Sequence, residues 1–306
     1  MAFKVGLALG GGGGRGLAHI GVLEGLEKAG IKIDIVTGTS IGAVIGGIYA
    51  FTGSAAVVRE RIELFIKSEE FKKTKLIFLK KPYKLQERRA LSITNVIRRG
   101  IFFSLSATKK GYLPEEDYLK IFDQLIGDVM IEDAGIPFAC IATDLNTGNE
   151  IILKSGPFKK AACGSAAIPG VYPPVSLDGN QLVDGGWVSV VPVRAAFEAG
   201  ADLVIAVDVT RETMVSGSFK TGLEISIRAN EISREKLKEL QLKDADILLS
   251  PDVGTVHWAD FGKASLCMEK GLSAVSASAP SIKRKIFLGK LKKIFMLKKS
   301  ISRNQG

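Results

Sequence analysis

Apolar positions along the first fifty residues alternate between two periods. A short apolar run at residues 4–9 ends in a cluster of glycines, which predicts a buried strand and a turn. Apolar residues then recur at helical spacing as far as Gly30, where the helix is expected to end. A second apolar run at residues 33–36 leads into another glycine turn and a helix of small residues from Ala43. This order predicts an α/β fold with a mostly parallel sheet and helices on both faces.

The same alternation continues through most of the chain. Further strands are predicted at residues 138–143, 150–153, 181–183, 203–209 and 247–250. Further helices are predicted at residues 54–70, 114–128, 161–168, 193–199, 224–242 and 260–277. A length of 306 residues suits one large domain, or one domain with an extension.

The second glycine turn, residues 38–42, reads Gly-Thr-Ser-Ile-Gly and fits the G-x-S-x-G pattern. A serine on a sharp turn between a strand and a helix projects its hydroxyl above the sheet. Gly38 and Gly42 are needed there because side chains would clash with the neighbouring backbone. The pentapeptide alone is a weak signal, but its place between a predicted strand and a predicted helix makes Ser40 the candidate nucleophile.

The first glycine turn offers backbone N–H groups at the start of a helix. Residues 11–16 read Gly-Gly-Gly-Gly-Arg-Gly, and such a loop, together with the helix dipole, binds negative charge. In an acyl-transfer enzyme that charge is the oxyanion of the tetrahedral intermediate. The same residues match the G-x-G-x-x-G dinucleotide fingerprint, and Asp34 lies about 20 residues further on. A dinucleotide-dependent oxidoreductase is therefore an alternative, which the serine turn weakens.

A serine hydroxyl needs a partner that takes its proton, and the chain has two histidines. Neither His19, on the helix after the glycine loop, nor His257 lies in a pattern that predicts a catalytic base. Asp184 follows a short predicted strand and precedes two glycines, which let its carboxylate turn back toward the site. A carboxylate needs burial and close contact to act as a base near neutral pH. Asp184 is the better candidate base, and an aspartate that only caps a turn is the alternative.

Three ordered motifs together resemble the patatin-like phospholipase family. They are Gly11-Gly12-Gly13-Gly14-Arg15-Gly16, Gly38-Thr39-Ser40-Ile41-Gly42 and Asp184-Gly185-Gly186. Their order and spacing resemble those of bacterial members. The resemblance implies a three-layer α/β/α sandwich with a mostly parallel central sheet. It also implies hydrolysis of lipid acyl esters, of phospholipid or lysophospholipid, by a Ser-Asp dyad without histidine, metal or cofactor.

The resemblance further implies roles for individual residues and a division of the chain. Ser40 is the implied nucleophile, Asp184 the implied general base, and Gly12, Gly13 and Gly14 the implied oxyanion donors. The residues implied to support these motifs are Gly11, Arg15, Gly16, Gly38, Gly42, Gly185 and Gly186. The catalytic domain is expected at residues 5–210, with a helical completion of the domain at residues 211–280 and a basic tail at residues 281–306.

Basic residues are concentrated in two segments that account for the net charge of +10. Residues 71–112 hold 12 lysines and arginines and one acid, and residues 281–306 hold 9 and no acid. The rest of the chain is therefore acidic. Blocks of like charge indicate anionic partners, or else a solvated surface. Nucleic acid is disfavoured as a partner because no recognisable binding module is present.

Both basic segments predict contact with an anionic membrane surface. Residues 71–112 mix lysines with apolar side chains where a cover over the site is expected, which suits a lid or a membrane-contact insertion. In residues 281–299, one face of a helical wheel collects Phe287, Leu288, Leu291, Ile294 and Phe295. Lysines lie largely opposite, which is typical of an interfacial helix. A disordered, solvated tail is the alternative.

The remaining features favour a cytoplasmic protein, peripheral at the inner face of the membrane. Cys140, Cys163 and Cys267 show no metal spacing and predict buried, reduced thiols. The N-terminal residues predict a strand and not a signal peptide, and no apolar run reaches about 18 residues. A non-catalytic membrane scaffold is a further alternative, which the presence of all three motifs disfavours. The sequence does not indicate an oligomeric state.

Overall fold

A sheet of eight strands forms the centre of the part of the chain that this computed structural model describes, residues 2–74, 76, 108–210, 219, 221–254 and 256–303. The strands are β1 (Val5–Leu9), β2 (Ile35–Thr39), β3 (Phe138–Asp144), β4 (Glu150–Leu153), β5 (Val175–Leu177), β6 (Asn180–Asp184), β7 (Leu203–Val207) and β8 (Ile247–Leu249). Their order is β5-β6-β3-β2-β1-β7-β8, and β4 also pairs with β3. Neighbouring strands are parallel along the series β3-β2-β1-β7-β8. The pairs β3–β4, β3–β6 and β5–β6 are antiparallel.

Helices flank this sheet on both faces. In chain order the α-helices of the described residues are α1 (Ala18–Lys28), α2 (Ile41–Thr52), α3 (Ala55–Lys67), α4 (Glu69–Lys73), α5 (Glu115–Ile121), α6 (Asp123–Ile126), α7 (Phe158–Ser165), α8 (Val193–Glu198), α9 (Gly222–Leu242) and α10 (Ala264–Arg303).

Alternate residues of the central strands face two different hydrophobic cores. Leu7 and Leu9 of β1 join the larger core with side chains of α1, α2 and α10. Ala8, between them, joins a smaller core with Ala206 of β7 and Ala196 of α8. Because successive side chains of a strand point to opposite faces, the sheet is covered on both sides. The predicted three-layer α/β/α fold with a mostly parallel sheet is confirmed.

The helices α1 and α10 pack with their backbones unusually close together. A Cβ atom on Gly21 of α1 would lie 1.8 Å from the carbonyl oxygen of Met268, and one on Gly271 of α10 would lie 2.0 Å from that of Ala18. Neither position has room for a side chain. These two glycines therefore allow the contact that fixes α10 against the core.

Strand β3 has three partners, and their register decides where the ends of β2 and β6 lie. Residues 140–143 of β3 pair with β4, residues 138–141 pair with β2, and residues 142–144 pair with β6. Since β4 overlaps both of the others in register, it must occupy one edge of β3, and β2 and β6 must share the opposite edge. Strands β2 and β6 run in opposite directions, so their carboxyl ends meet beside Ile141 and Ala142.

The C-terminal part of the chain differs from the sequence-based expectation. The helix predicted at residues 260–277 instead continues through Pro280 to Arg303 as one helix, α10, which takes in residues 281–303 of the predicted tail. The predicted end was wrong because Ile282, beyond the proline, is buried and Ile286 packs against the same core. That burial offsets the hydrogen bond that proline removes. Most of the basic insertion predicted at residues 71–112 lies outside the described residues.

Candidate active site

Ser40 lies on a strained turn between β2 and α2, as the G-x-S-x-G pattern predicts. Its backbone has a φ of 55°, which is rare for a residue with a side chain. A Cβ atom on Gly38 would lie 2.3 Å from the carbonyl oxygen of Gly42, and one on Gly42 would lie 2.2 Å from that of Leu9. The two flanking glycines are therefore required by close backbone contacts.

The Ser40 hydroxyl donates a hydrogen bond of 2.7 Å to Oδ2 of Asp184. The second carboxylate oxygen, Oδ1, accepts the N–H of Gly186 at 2.8 Å. Both side chains are buried, with Ser40 7% and Asp184 8% exposed. Burial raises the pKa of the Asp184 carboxyl, and the hydrogen bonds from Ser40 and Gly186 and the charge of Arg234 oppose that rise. The carboxylate is thus placed to take a proton from the hydroxyl.

Ser40 and Asp184 come together because the carboxyl ends of β2 and β6 meet beside β3. Hydrogen bonds from neighbouring groups stabilise the backbone of both residues. The backbone N–H of Ser40 donates to Oγ of Ser165 at 2.8 Å, and that hydroxyl donates to the carbonyl oxygen of Ile141 on β3. Thr143, also on β3, donates to the carbonyl oxygen of Asp184 at 3.0 Å. A Cβ atom on Gly185 would lie 2.2 Å from the Ile141 carbonyl oxygen. Ser165 was not predicted as a site residue, and its helix gives no local signal for this role.

The glycine loop lies opposite the serine, but its amides are not equivalent. The N–H of Gly11 donates to Val190, and the N–H of Gly14 donates to the carbonyl oxygen of Trp258 at 2.6 Å. The Gly12 and Gly13 amides donate no hydrogen bond to any described residue. Of the three expected oxyanion donors, the Gly14 amide is therefore already engaged in this structure.

The other loop residues fix the position of the loop. Arg15 donates from Nε to the carbonyl oxygen of Val256 at 2.7 Å, which ties the loop to the segment before α10. Burial lowers the pKa of the Arg15 guanidinium. A Cβ atom on Gly16 would lie 2.2 Å from Cγ2 of Ile41, so this glycine allows the loop to approach the helix that follows Ser40.

Neither histidine contacts the serine or the aspartate. Nε2 of His19 lies 2.7 Å from the carbonyl oxygen of Gly10, and burial lowers the pKa of this fully buried ring to about 4. His19 is therefore neutral at physiological pH, with its Nε2–H donated to the loop. Nδ1 of His257 accepts the N–H of Ala259 at 3.2 Å. The recorded hydrogen bonds of both rings are thus made to backbone groups.

The position of Asp34 argues against the dinucleotide alternative. A ribose-binding acid belongs beside the glycine loop, at the carboxyl ends of the strands. Asp34 instead precedes β2 and accepts the N–H of Val5 at 3.0 Å, at the start of β1. It also pairs with Lys32 at 2.9 Å. The acid thus lies at the opposite end of the sheet from the glycines.

Two cavities meet at Ser40. The first, of about 80 Å³, is lined almost entirely by apolar side chains, among them Leu17, Val44, Phe65, Phe122 and Tyr172. The second, of about 420 Å³, is polar and includes Asp184, Trp187 and the α9 side chains Arg228, Glu231, Arg234, Glu235 and Lys238. Gly13, Ser40, Ile168 and Trp258 line both cavities. The serine therefore lies at the boundary between an apolar and a polar compartment.

Residues beyond position 210 contribute to this site although the sequence motifs all precede it. Trp258 closes over the loop so tightly that a Cβ atom on Gly13 would lie 2.3 Å from its carbonyl oxygen. Arg234 donates from Nε to the carbonyl oxygen of Gly186 at 2.9 Å. No motif signals these contacts, because they arise from packing between distant segments.

Within the described residues, no three metal-ligating side chains cluster and no helix is long and apolar enough to cross a membrane.

Comparison with known families gives a match to the model described as patatin-like phospholipase over residues 7–197. The chain belongs to the patatin-like phospholipase family. Its relatives include a patatin-like phospholipase domain-containing protein of Caenorhabditis elegans, 35% identical over 207 residues, which are 67% of this chain and 13% of that protein. An uncharacterised NTE family protein of Mycobacterium tuberculosis is 36% identical over 205 residues, which are 67% of this chain and 48% of that protein.

A third relative carries an activity in its name. The lysophospholipase nte1 of Emericella nidulans is 32% identical over 205 residues, which are 67% of this chain and 12% of that protein. This patatin-like chain therefore spans half or less of the length of these relatives.

Solved structures share the fold at low identity. The chain matches VipD from Legionella pneumophila with a TM-score of 0.51 and 13% identity, covering 91% of this chain and 67% of that one. It matches human GIVD cytosolic phospholipase A2 in complex with methyl gamma-linolenyl fluorophosphonate with a TM-score of 0.50 and 14% identity, covering 96% and 60%. These likenesses show that the patatin-like chain has the fold of those proteins.

Proposed function

We propose that this patatin-like protein is a carboxylic ester hydrolase that removes acyl groups from phospholipids or lysophospholipids, with Ser40 as nucleophile and Asp184 as base. The hydrogen bond of 2.7 Å between the Ser40 hydroxyl and the Asp184 carboxylate carries this proposal. The family and the name of the fungal relative support the same class of reaction.

In the proposed reaction, Asp184 takes the hydroxyl proton while Ser40 Oγ attacks the ester carbonyl carbon. In this proposal the resulting oxyanion accepts hydrogen bonds from the Gly12 and Gly13 amides, each of which would stabilise the transition state by about 3–4 kcal/mol. The alcohol leaves with the proton from Asp184, and an acyl-serine ester remains. Water then attacks this ester, Asp184 again takes a proton and returns it to Ser40, and a fatty acid is released.

The two cavities suit a substrate with one apolar and one polar part. The acyl chain would lie in the apolar cavity among side chains such as Phe65 and Phe122, where burial favours it. The polar remainder of the ester would face the cavity beside α9. Phe71, Thr74 and Leu76, three described residues of the predicted cover, line the apolar cavity, which supports a role of these three side chains in enclosing the acyl chain.

Hydrolysis of a p-nitrophenyl ester and of lysophosphatidylcholine tests the assignment. We expect Ser40→Ala and Asp184→Asn each to lower kcat at least about a thousandfold, because one removes the nucleophile and the other the proton acceptor. Ser276→Ala, on the exposed surface of α10, and Asp133→Asn, also exposed, are the matched controls. Activity near that of the wild type in either site variant would refute the proposal. Inactivation by His257→Ala with Asp184→Asn active would point to a histidine base instead.

The second half of α10 supports a further part of the proposal, which is contact with an anionic membrane surface. Its outward side chains are unusually apolar, with Phe287 61%, Leu288 51% and Phe295 70% exposed. Residues 281–296 also hold six lysines and arginines and no acid. An apolar surface surrounded by cations fits the boundary between acyl chains and anionic headgroups.

Sedimentation with phospholipid vesicles tests this contact. We expect binding to vesicles that contain anionic lipid and weaker binding to purely zwitterionic ones, since each lysine near an anionic surface contributes about 1 kcal/mol. Lys290→Gln with Lys292→Gln should weaken binding about thirtyfold on that scale, and Phe287→Ser with Phe295→Ser should also weaken it. Leu64→Ser, at an apolar residue of α3 that is 62% exposed, is the control. Unchanged binding in both double variants, or a dimer that hides this face, would contradict the proposal.

A further inference from the structure

Arg234 of α9 contacts the loop that follows Asp184 but does not reach Ser40 or Asp184 by a hydrogen bond. We propose that Arg234 is a positioning residue that holds the Asp184 carboxylate in its orientation and keeps it in the charged form that accepts a proton. This inference rests on the proposed function, because it assigns a role to Arg234 through the proposed base.

The contacts of Arg234 form a short chain to the carboxylate. Nε of Arg234 donates to the Gly186 carbonyl oxygen at 2.9 Å, and the Gly186 N–H donates to Oδ1 of Asp184 at 2.8 Å. The guanidinium carbon lies 4.9 Å from the centre of the Trp187 ring, within the range of a cation–π contact. The Arg234 side chain thus contacts both Gly186 and Trp187, which lie two and three residues after Asp184.

The absence of a side chain at position 186 permits this arrangement. A Cβ atom on Gly186 would lie 3.0 Å from Oδ1 of Asp184 and 3.1 Å from Nη2 of Arg234. Gly186 therefore lies between the Asp184 carboxylate and the Arg234 guanidinium, with little room for a side chain. A larger residue would push the arginine away from the carboxylate.

The other charged side chains near the polar cavity are largely neutralised by partners. Arg228 pairs with Glu231 at 3.1 Å. Lys238 pairs with Asp208 at 3.0 Å and with Glu235 at 2.9 Å. Within the described part of the chain, no carboxylate lies within 4.0 Å of the Arg234 nitrogens. Its charge is thus available to act on Asp184.

The remaining groups that face Asp184 are uncharged or more distant. Ser40 donates from the end of β2, and the Thr143 hydroxyl of β3 donates to the backbone carbonyl of Asp184. The phenol of Tyr118 on α5 interacts electrostatically with the same carboxylate but donates its hydrogen bond to the Cys163 carbonyl oxygen at 3.1 Å, and burial keeps its pKa well above the usual value, so it is neutral. Arg15, from the glycine loop, lines the same cavity but donates to Val256.

The sign of the effect follows from the two opposing influences on Asp184. Burial raises the pKa of the carboxyl and favours the protonated acid, which cannot accept the Ser40 proton. The positive charge of Arg234 lowers that pKa and favours the carboxylate. Removing the charge should therefore raise the pKa and shift the acid limb of the kcat/KM profile to higher pH.

Two substitutions at position 234 separate charge from hydrogen bonding. Arg234→Gln keeps an N–H donor but removes the charge, and Arg234→Lys keeps the charge and one donor. The matched control is Arg194→Gln on α8, where the arginine is exposed and pairs with Glu198. The assay is the pH dependence of kcat/KM for a neutral p-nitrophenyl ester, so that no charge on the substrate complicates the result.

We expect the acid limb of Arg234→Gln to move to higher pH, with a tenfold loss of kcat/KM on that limb for each unit of movement. Arg234→Lys should restore most of the wild-type profile, and Arg194→Gln should leave it unchanged. A uniform loss at all pH values in Arg234→Gln, or a limb that does not move, would overturn the inference. The proposed function fails separately, if Asp184→Asn retains activity.

Discussion

Protonation of His19 should destabilise the protein in mildly acidic solution. The ring is fully buried, and its Nε2–H donates to the carbonyl oxygen of Gly10, immediately before the glycine loop. Burial lowers its pKa from 6.5 to about 4 in the folded state. A histidine whose folded-state pKa is lowered contributes stability above its unfolded pKa, and that stability is lost as the pH falls from 6.5 toward 4.

The magnitude follows from the difference between the folded and unfolded pKa values of His19. One pKa unit corresponds to about 1.4 kcal/mol, so this group accounts for about 3 kcal/mol of pH-dependent stability between neutral pH and pH 4. At pH 5 the loss should already reach about 2 kcal/mol. That is a sizeable part of the 5–15 kcal/mol, roughly, that stabilises a typical protein.

Denaturant unfolding of wild type and His19→Gln at several pH values tests this prediction. Glutamine places an amide nitrogen at the same bond count from Cβ and can donate to Gly10, but it does not titrate in this range. We expect the wild type to lose about 2 kcal/mol relative to His19→Gln between pH 7.5 and pH 5, and both proteins to retain esterase activity at pH 7.5. Parallel stability curves for the two proteins would refute the reasoning, and an inactive but folded His19→Gln would reopen a role for the ring in catalysis.

Two further predictions concern the site. Gly42→Ala should lower the free energy of unfolding by about 1–3 kcal/mol or more and abolish labelling by a fluorophosphonate probe, because the added Cβ would lie 2.2 Å from the Leu9 carbonyl oxygen. The matched control is Gly222→Ala, where nothing lies within 4 Å of the added Cβ. Equal effects at both positions would contradict the prediction. Asp184→Asn should melt at a higher temperature than wild type at pH 8, because the buried carboxyl has a raised pKa and its ionisation destabilises the folded state. The difference in melting temperature should shrink as the pH falls. A lower melting temperature for Asp184→Asn at pH 8 would contradict this prediction.

Local patterns were sufficient to predict most of the sheet and the sharp turn that carries Ser40, the proposed nucleophile. The elbow at Ser40 could be predicted because its glycines, its strand and its helix are contiguous in sequence. The contact with Asp184 is not a local property. It depends on the registers of β2 and β6 along β3, which periodicity alone does not determine.

The contributions of the C-terminal segments could not be predicted, also for a physical reason. Arg234 lies on a helix whose neighbouring residues carry no recognisable motif, and Trp258 acts through its backbone carbonyl, which every residue possesses. The engagement of the Gly14 amide by that carbonyl was therefore invisible in the sequence. Likewise, a proline normally interrupts a helix, and α10 continues past Pro280 because Ile282 is buried against the core.

The shared edge of β3 has a consequence for how this scaffold tolerates change. Ile141 and Ala142 are consecutive residues, and they set the spacing between the two chain ends that supply the hydroxyl and the carboxylate. An inserted residue in β3 would displace one chain end from the other by about 3.3 Å, more than the length of their hydrogen bond. Insertions in the surface turns at Gly148 or Gly179 would leave that spacing intact. The registers along β3 thus set the distance between Ser40 and Asp184, and we expect an insertion within this strand to be the change that the proposed dyad tolerates least.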